Sequence, residues 1–206
     1  MKELLKVSTG LTGKMAGMTV ITSSMLNNEN CAKLSKMKGS VCEHCYSQRA
    51  LSYRAKVREC YEKNGKILSS DIIPENELPY INSAFCRLES HGDLINETHL
   101  VNYIRLAEKN PHCTFALWTK NYRVLLTYFR KGNIQPQNMQ IVLSSPMLNK
   151  EMNLAPFERI GLRVKSFTVY DKETAEQIDI NCGGRKCIEC RRCYASADKY
   201  IREKLK

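Results

Sequence analysis

Seven cysteines carry most of the chemistry written into this chain. Near its end, Cys182, Cys187, Cys190 and Cys193 follow the spacing C-x4-C-x2-C-x2-C, with Gly183, Gly184, Arg185, Lys186, Arg191 and Arg192 between them. So polar an interior does not suit a packing segment, and the paired glycines let the backbone turn around a small inorganic centre. A looser group, Cys31, Cys42 and Cys45, lies towards the other end, and both groups finish as C-x2-C followed by a tyrosine, Tyr46 or Tyr194. Each tyrosine is expected to shield its centre from solvent. Thiolates at this spacing hold zinc or iron–sulfur clusters. Zinc ribbons set their two C-x2-C pairs well apart, whereas the terminal thiols form one short run of the ferredoxin-like kind. One or two [4Fe-4S] clusters are therefore expected, with zinc as the alternative. His44 replaces a thiol if the first group is a mixed zinc site. The groups share one centre if a terminal cysteine fills a fourth position beside Cys31, Cys42 and Cys45. Cys60, Cys86 and Cys113 stand singly in helix or strand patterns and read as core side chains, Cys86 being the reserve ligand.

The composition narrows the setting. A chain of 206 residues with 43% hydrophobic content can bury a core without covalent staples. Cysteines gathered as C-x2-C, with no apolar leader after Met1, fit a reducing cytoplasm. No run approaches the roughly 20 apolar residues of a membrane helix, so no membrane partner is expected. The formal charge of +11 makes nucleic acid a candidate partner through counterion release. That charge is densest at the end, where Arg185, Lys186, Arg191, Arg192, Lys199, Arg202, Lys204 and Lys206 meet only Glu189, Asp198 and Glu203. The same cations would lower thiol pKa values and offset a thiolate centre. Hydrolase and nucleotide-phosphate classes have no anchor, since no Ser-His-Asp order, phosphate-cradling glycine loop or dinucleotide fingerprint occurs.

Positioning these residues falls to alternating strands and helices. An extended lead-in over residues 1–16 gives way to a strand at Met18–Thr22, then a loop carrying Cys31. A helix is expected over Glu43–Asn64, ended by Asn64-Gly65, with Cys42 and Cys45 where the loop enters it. Strands follow at Tyr80–Leu88, Cys113–Lys120, Met139–Ser144 and Arg163–Tyr170, with helices at Asn96–Asn110, Tyr122–Arg130 and Pro156–Ile160. This alternation predicts an α/β fold with a mainly parallel sheet, drawn as a partial or irregular (β/α) TIM-like barrel because five strands are too few to close one. Residues 1–180 form that domain, and 181–206 form a cysteine knuckle and a basic helix, Cys193–Lys206, packed on it. Sites in such folds lie at the carboxyl ends of the strands. That edge gathers Cys31, Cys42 and Cys45 with Ser90-His91-Gly92-Asp93, Thr119-Lys120 and Ser144-Ser145. His91, Asp93 and Lys120 are the catalytic candidates. Trp118 and Lys120 have two readings, as a stacking and anion-binding pair or as barrel filler and surface cap. His99 and His112 read as surface or satisfied core residues.

The order of these landmarks resembles the bacteriophage Gene product 88 family. The resemblance runs from Thr9 to Tyr194, through Cys31, Cys42, Cys45-Tyr46, an arginine and Gly92-Asp93 at the second strand, Trp118-Thr119-Lys120, Ser144 and the terminal cysteines. It implies an iron–sulfur protein and, for a phage-encoded chain, the host cytoplasm. The landmarks are similar, more distantly, to the radical S-adenosylmethionine superfamily, in particular its spore photoproduct lyase branch. That likeness implies a [4Fe-4S] cluster on Cys31, Cys42 and Cys45, and S-adenosylmethionine with its methionine moiety near Gly92 and Asp93. Ser144 joins them as a cofactor-binding candidate. Three thiolates on four irons leave one iron open to a substrate amine and carboxylate. Here the spacing is C-x10-C-x2-C in place of C-x3-C-x2-C, and His91-Gly92-Asp93-Leu94 stands in place of Gly-Gly-Glu-Pro. A fourth ligand closing the cluster would leave a redox or structural centre. The functions in play are a radical-type redox enzyme, an electron-transfer protein with an unidentified donor, and a zinc- or cluster-braced nucleic-acid binder.

Overall fold

The computed structural model describes residues 4–205. The first three residues of the expected lead-in, and Lys206 of the basic run, lie outside them. The fold is α/β, built on six parallel strands in the order β1-β2-β3-β4-β5-β6: Thr19–Ile21, Phe85–Leu88, Thr114–Thr119, Met139–Ser144, Val164–Tyr170 and Tyr200–Lys204. Neighbours in sequence are neighbours in the sheet, and the sheet stays open between β1 and β6 rather than closing into a barrel. The helices are α1 Glu29–Ser35, α2 Tyr46–Ser52, α3 Ala55–Ser70, α4 Glu97–Lys109, α5 Tyr122–Phe129, α6 Ala155–Glu158, α7 Lys172–Ala175 and α8 Cys187–Cys190. Among the described residues no helix is long and apolar enough to cross a membrane.

The period of two along each strand sorts side chains onto two faces. Cys86, Leu88, Phe115, Leu117, Ile141 and Leu143 point to one side, where they pack with Leu68, Leu100, Tyr103, Leu106, Leu125 and Phe129 from the helices. Phe85, Ala116, Trp118, Val142, Phe167 and Ile201 point to the other. That inner face is covered by Leu11 and Met15 from the lead-in and by Cys182, Cys187, Ile188, Cys193 and Tyr194 from the cysteine-rich segment. The thiol-bearing segment is thus a plug lying against the sheet. Buried Lys165 on β5 fastens it, donating to the carbonyls of Ser196 at 2.6 Å and Asp198 at 2.8 Å.

Several expected elements differ. The single helix over Glu43–Asn64 is divided into a 3-10 turn, Val41–His44, and α2 and α3. Asn64-Gly65 does not end α3, because Asn64 is engaged in tertiary bonds: its Oδ1 accepts from Lys6 N, and its Nδ2 donates to the carbonyls of Lys6 and Thr22. Gly65 lets the helix approach Ser23, whose Cβ would lie 3.3 Å from an added Cβ. Cys31 sits in α1, a short helix capped by the Asn28 side chain, rather than in a loop. The basic helix expected over Cys193–Lys206 is instead a turn followed by β6. Tyr200 packs with the helix-side core and Ile201 with the inner face, an alternation that fits a strand paired with β5 and not a helix. The 181–206 segment therefore supplies the sixth strand of the sheet. Its four cysteines are spread over a bridge from Cys182 to Glu203, the single turn of α8, and the loop after Arg191, whose φ is 52°.

Candidate functional site

The strand ends, the plug and the Cys31–Cys45 segment enclose a cavity of about 490 Å³. All seven thiols singled out in the sequence line it, as do His91, Gly92, Asp93, Lys120 and Ser144. Cys86 and Cys113 are buried in the helix-side core, and Cys60 is half-buried on α3 away from the cavity.

Cys31 lies in the first turn of α1, Cys42 in the 3-10 turn, and Cys45 at the N-cap of α2. Cys42 N donates to Ser40 Oγ at 3.0 Å, and Val41 N donates to the Pro146 carbonyl at 2.9 Å, tying this segment to the exit of β4. Burial pushes the Cys31 and Cys42 thiols up; the Asp93 carboxylate adds to the rise at Cys31, and the Lys120 ammonium opposes it at both. In the plug, Cys182 N donates to the Arg202 carbonyl at 2.9 Å. Lys14 Nζ donates to Cys182 Sγ at 3.1 Å and pairs with Glu203 at 2.6 Å. Burial raises Cys182 and Cys187 and pushes Cys193 to about 12, with Arg87 pulling the last two down. The expectation that nearby cations lower these thiols is met only as a partial offset, since burial outweighs it. Burial keeps Cys31, Cys42, Cys182, Cys187 and Cys193 protonated at neutral pH, so these thiols would have to give up protons to ligate a metal.

Asp93 is buried, and its carboxylate is engaged within the protein: Oδ1 accepts from Leu94 N and the Thr119 hydroxyl, Oδ2 from Lys120 N. It fixes the end of β2 to the end of β3. Gly92 is demanded by packing, because an added Cβ would lie 2.2 Å from Ser23 Oγ and 2.6 Å from the Ser23 carbonyl. The His91 ring lies between Tyr46 and Tyr61, at centroid separations of 5.5 and 5.4 Å. Burial, aided by the charges of Arg87 and Arg54, holds it neutral, its pKa lowered to about 4. Tyr46 is exposed and donates to the Ser90 carbonyl, whereas Tyr194 is buried against Phe85. Ser144 ends β4 at the cavity, and its carbonyl accepts from Tyr122 OH.

Two further residues line the cavity, Glu89 and the second-strand arginine of the resemblance, Arg87, and the sequence reading gave neither a role. Glu89, 2% exposed with φ 61°, accepts from Tyr103 OH at 2.6 Å and Ser23 Oγ at 2.9 Å. His99 Nε2 stands 3.2 Å from its carboxylate, and His99 Nδ1 accepts from Ile95 N at 3.3 Å. Although burial works against it, the His99 and Tyr103 bonds hold Glu89 below the usual carboxylate range. Arg87 is the other, lying on the inner face with its guanidinium 4.1 Å from the centroid of Trp118. A charge set between Cys86 and Leu88 in a strand was the available signal.

The donor set suits a thiolate-ligated group by its chemistry. Among the described residues no three Cys, His, Asp or Glu side chains converge closely enough to hold a single ion.

A family model described as Gene product 88 matches residues 4–199. No curated protein and no solved structure matches the chain.

Proposed function

This chain belongs to the Gene product 88 family, and we propose that it is an iron–sulfur protein. In this reading Cys31, Cys42 and Cys45 hold one [4Fe-4S] cluster at the strand ends. Cys182, Cys187, Cys190 and Cys193 hold a second, or lend a fourth thiolate to the first. The observation that carries the reading is that thiols from opposite ends of the chain all line one cavity. Such a cluster supplies one-electron transfer, and with one iron left open it can chelate and reduce a substrate. The protein's own part is to exclude water, through the plug and the buried strand ends, and to offset anionic charge with Lys14 and Lys120. A reducing host cytoplasm suits such a centre.

The finer version is a radical-type redox enzyme using S-adenosylmethionine. It is supported by six parallel strands in sequential order, the arrangement of an open arc of a βα barrel with its site at the strand ends. In it His91 and Lys120 face the substrate, while Asp93 and Gly92 hold the loop that bounds the site. Anaerobic purification with iron and sulfide analysis and an electron paramagnetic resonance spectrum tests the cluster. About four or eight irons per chain are expected, counting four per cluster. Colourless protein with stoichiometric zinc overturns it. Reduced protein that cleaves S-adenosylmethionine to 5′-deoxyadenosine supports the enzyme; none, with a reducible cluster, leaves electron transfer from an external donor. The nucleic-acid reading loses its basic helix. Three of the cations behind it are paired, Arg192 with Asp198, Lys199 with Glu158 and Arg202 with Glu151.

A further inference from the structure

Arg87 is an unusual charge for its place. Its side chain is half-buried on the inner face of β2, in register with Val20 and Ala116. Among the described residues it forms no ion pair: Nη1 donates weakly to Met15 Sδ at 3.7 Å, and the guanidinium lies over Trp118. The neighbouring Glu89 is already committed to Ser23, Tyr103 and His99. Arg87 Nε, Trp118 Nε1 and His91 Nδ1 are shielded from water without a hydrogen-bond partner, and all three residues line the cavity. A cation withdrawn from water without a counter-charge is costly, and stacking on an indole offsets only part of that. Native proteins leave few such groups unsatisfied unless a ligand completes them.

We infer that Arg87, held flat by Trp118, anchors the carboxylate or phosphate of a small organic molecule on the inner face of the sheet. A guanidinium fork matches both oxyanions bidentately. Trp118, Phe167, Val169 and Ile201 give the cavity an apolar wall against which an organic body can lie. The subsite stands on these residues and does not require that the thiols hold a cluster. It defines the substrate class for the proposed redox centre if they do.

The chain contains a single tryptophan, so its emission reports on this subsite alone. The full-length protein, metal-free under reductant and again after iron and sulfide loading, is titrated with inorganic phosphate, adenosine monophosphate and succinate against chloride at matched ionic strength. A saturable change in Trp118 emission with at least one oxyanion is expected, and the responding arm separates phosphate from carboxylate. Calorimetry should show binding weakened about tenfold or more in Arg87→Gln, and about threefold in Trp118→Phe, as for loss of a charged and a neutral hydrogen bond. Lys150→Gln, on the exposed surface, should bind as the parent does. Circular dichroism confirms that each variant is folded. No saturable response to any oxyanion, or Arg87→Gln binding like the parent, overturns the inference. So does an Arg87→Gln variant that changes only iron content or reduction potential, which would make Arg87 a counter-charge for Cys187 and Cys193. Iron analysis of the parent is read separately, so loss of the cluster reading and loss of the anion subsite are distinguishable.

Discussion

At the scale of single residues, the thiols were legible because metal chemistry constrains spacing along the chain, and spacing survives in sequence. The roles of Arg87 and Glu89 were not, because what matters about each is the absence or presence of partners brought from other elements. Glu89 draws its bonds from Ser23, His99 and Tyr103, and nothing local announces them. Tyr103→Phe strands one lone pair of this buried carboxylate and should cost about 1–3 kcal/mol in urea unfolding; an unchanged midpoint would mean the bond contributes nothing. His91 gives a prediction with a sign. Its folded pKa is lowered to about 4, beneath the ordinary value of 6.5, so between those limits the unfolded chain takes up a proton that the folded protein refuses. Stability should therefore fall as pH drops from 6.5 towards 4, and His91→Asn should flatten that part of the profile for the metal-free protein. Parallel profiles for the two proteins would show that the imidazole titrates normally.

Among the secondary-structure elements, long periodic segments were readable, and β4 and α4 lie within a residue of expectation at each end. Failures occurred where tertiary contacts override local preference. Asn64-Gly65 has the composition of a helix stop, yet in α3 the asparagine bonds the lead-in and β1 while the glycine admits Ser23. The last strand failed for a related reason. Ile201 and Tyr200 serve opposite faces, but five residues flanked by charges carry too little alternation to outvote a helical pattern. Gly92→Ala follows from the same kind of contact. The methyl would meet Ser23 and the Glu89 carboxylate inside 3 Å, so destabilisation by about 1–3 kcal/mol is expected, read from the shift in thermal midpoint. A stable Gly92→Ala protein would show that the loop is free to move away from β1. Such a finding would remove packing as the reason for glycine there.

For the molecule as a whole, the cysteine-rich end is the second layer of the protein rather than an attachment to it. β6 pairs with β5 from Tyr200 to Lys204, and the plug covers Ala116, Trp118, Val142 and Phe167. Removing residues 181–206 deletes both at once, baring the hydrogen-bonding edge of β5 and an apolar face. Edge strands exposed in this way pair with other chains. A chain ending at residue 180 should thus be aggregated or partly unfolded, with red-shifted Trp118 emission. Full-length Cys187→Ser and Cys190→Ser, which keep the strand and the plug, should retain the far-ultraviolet circular dichroism of the parent and lose only whatever the thiols bind. The contrast separates two roles for one segment. If the truncated chain were monomeric and gave the parent's tryptophan spectrum, five strands and the helices would suffice to fold, and the inner face would not need its cover. If instead the serine variants unfolded in the absence of metal, the sulfurs would be packing groups first. Retained fold with lost iron in those variants, beside collapse of the truncated chain, is the pattern that follows from a plug that both closes the sheet and carries the centre.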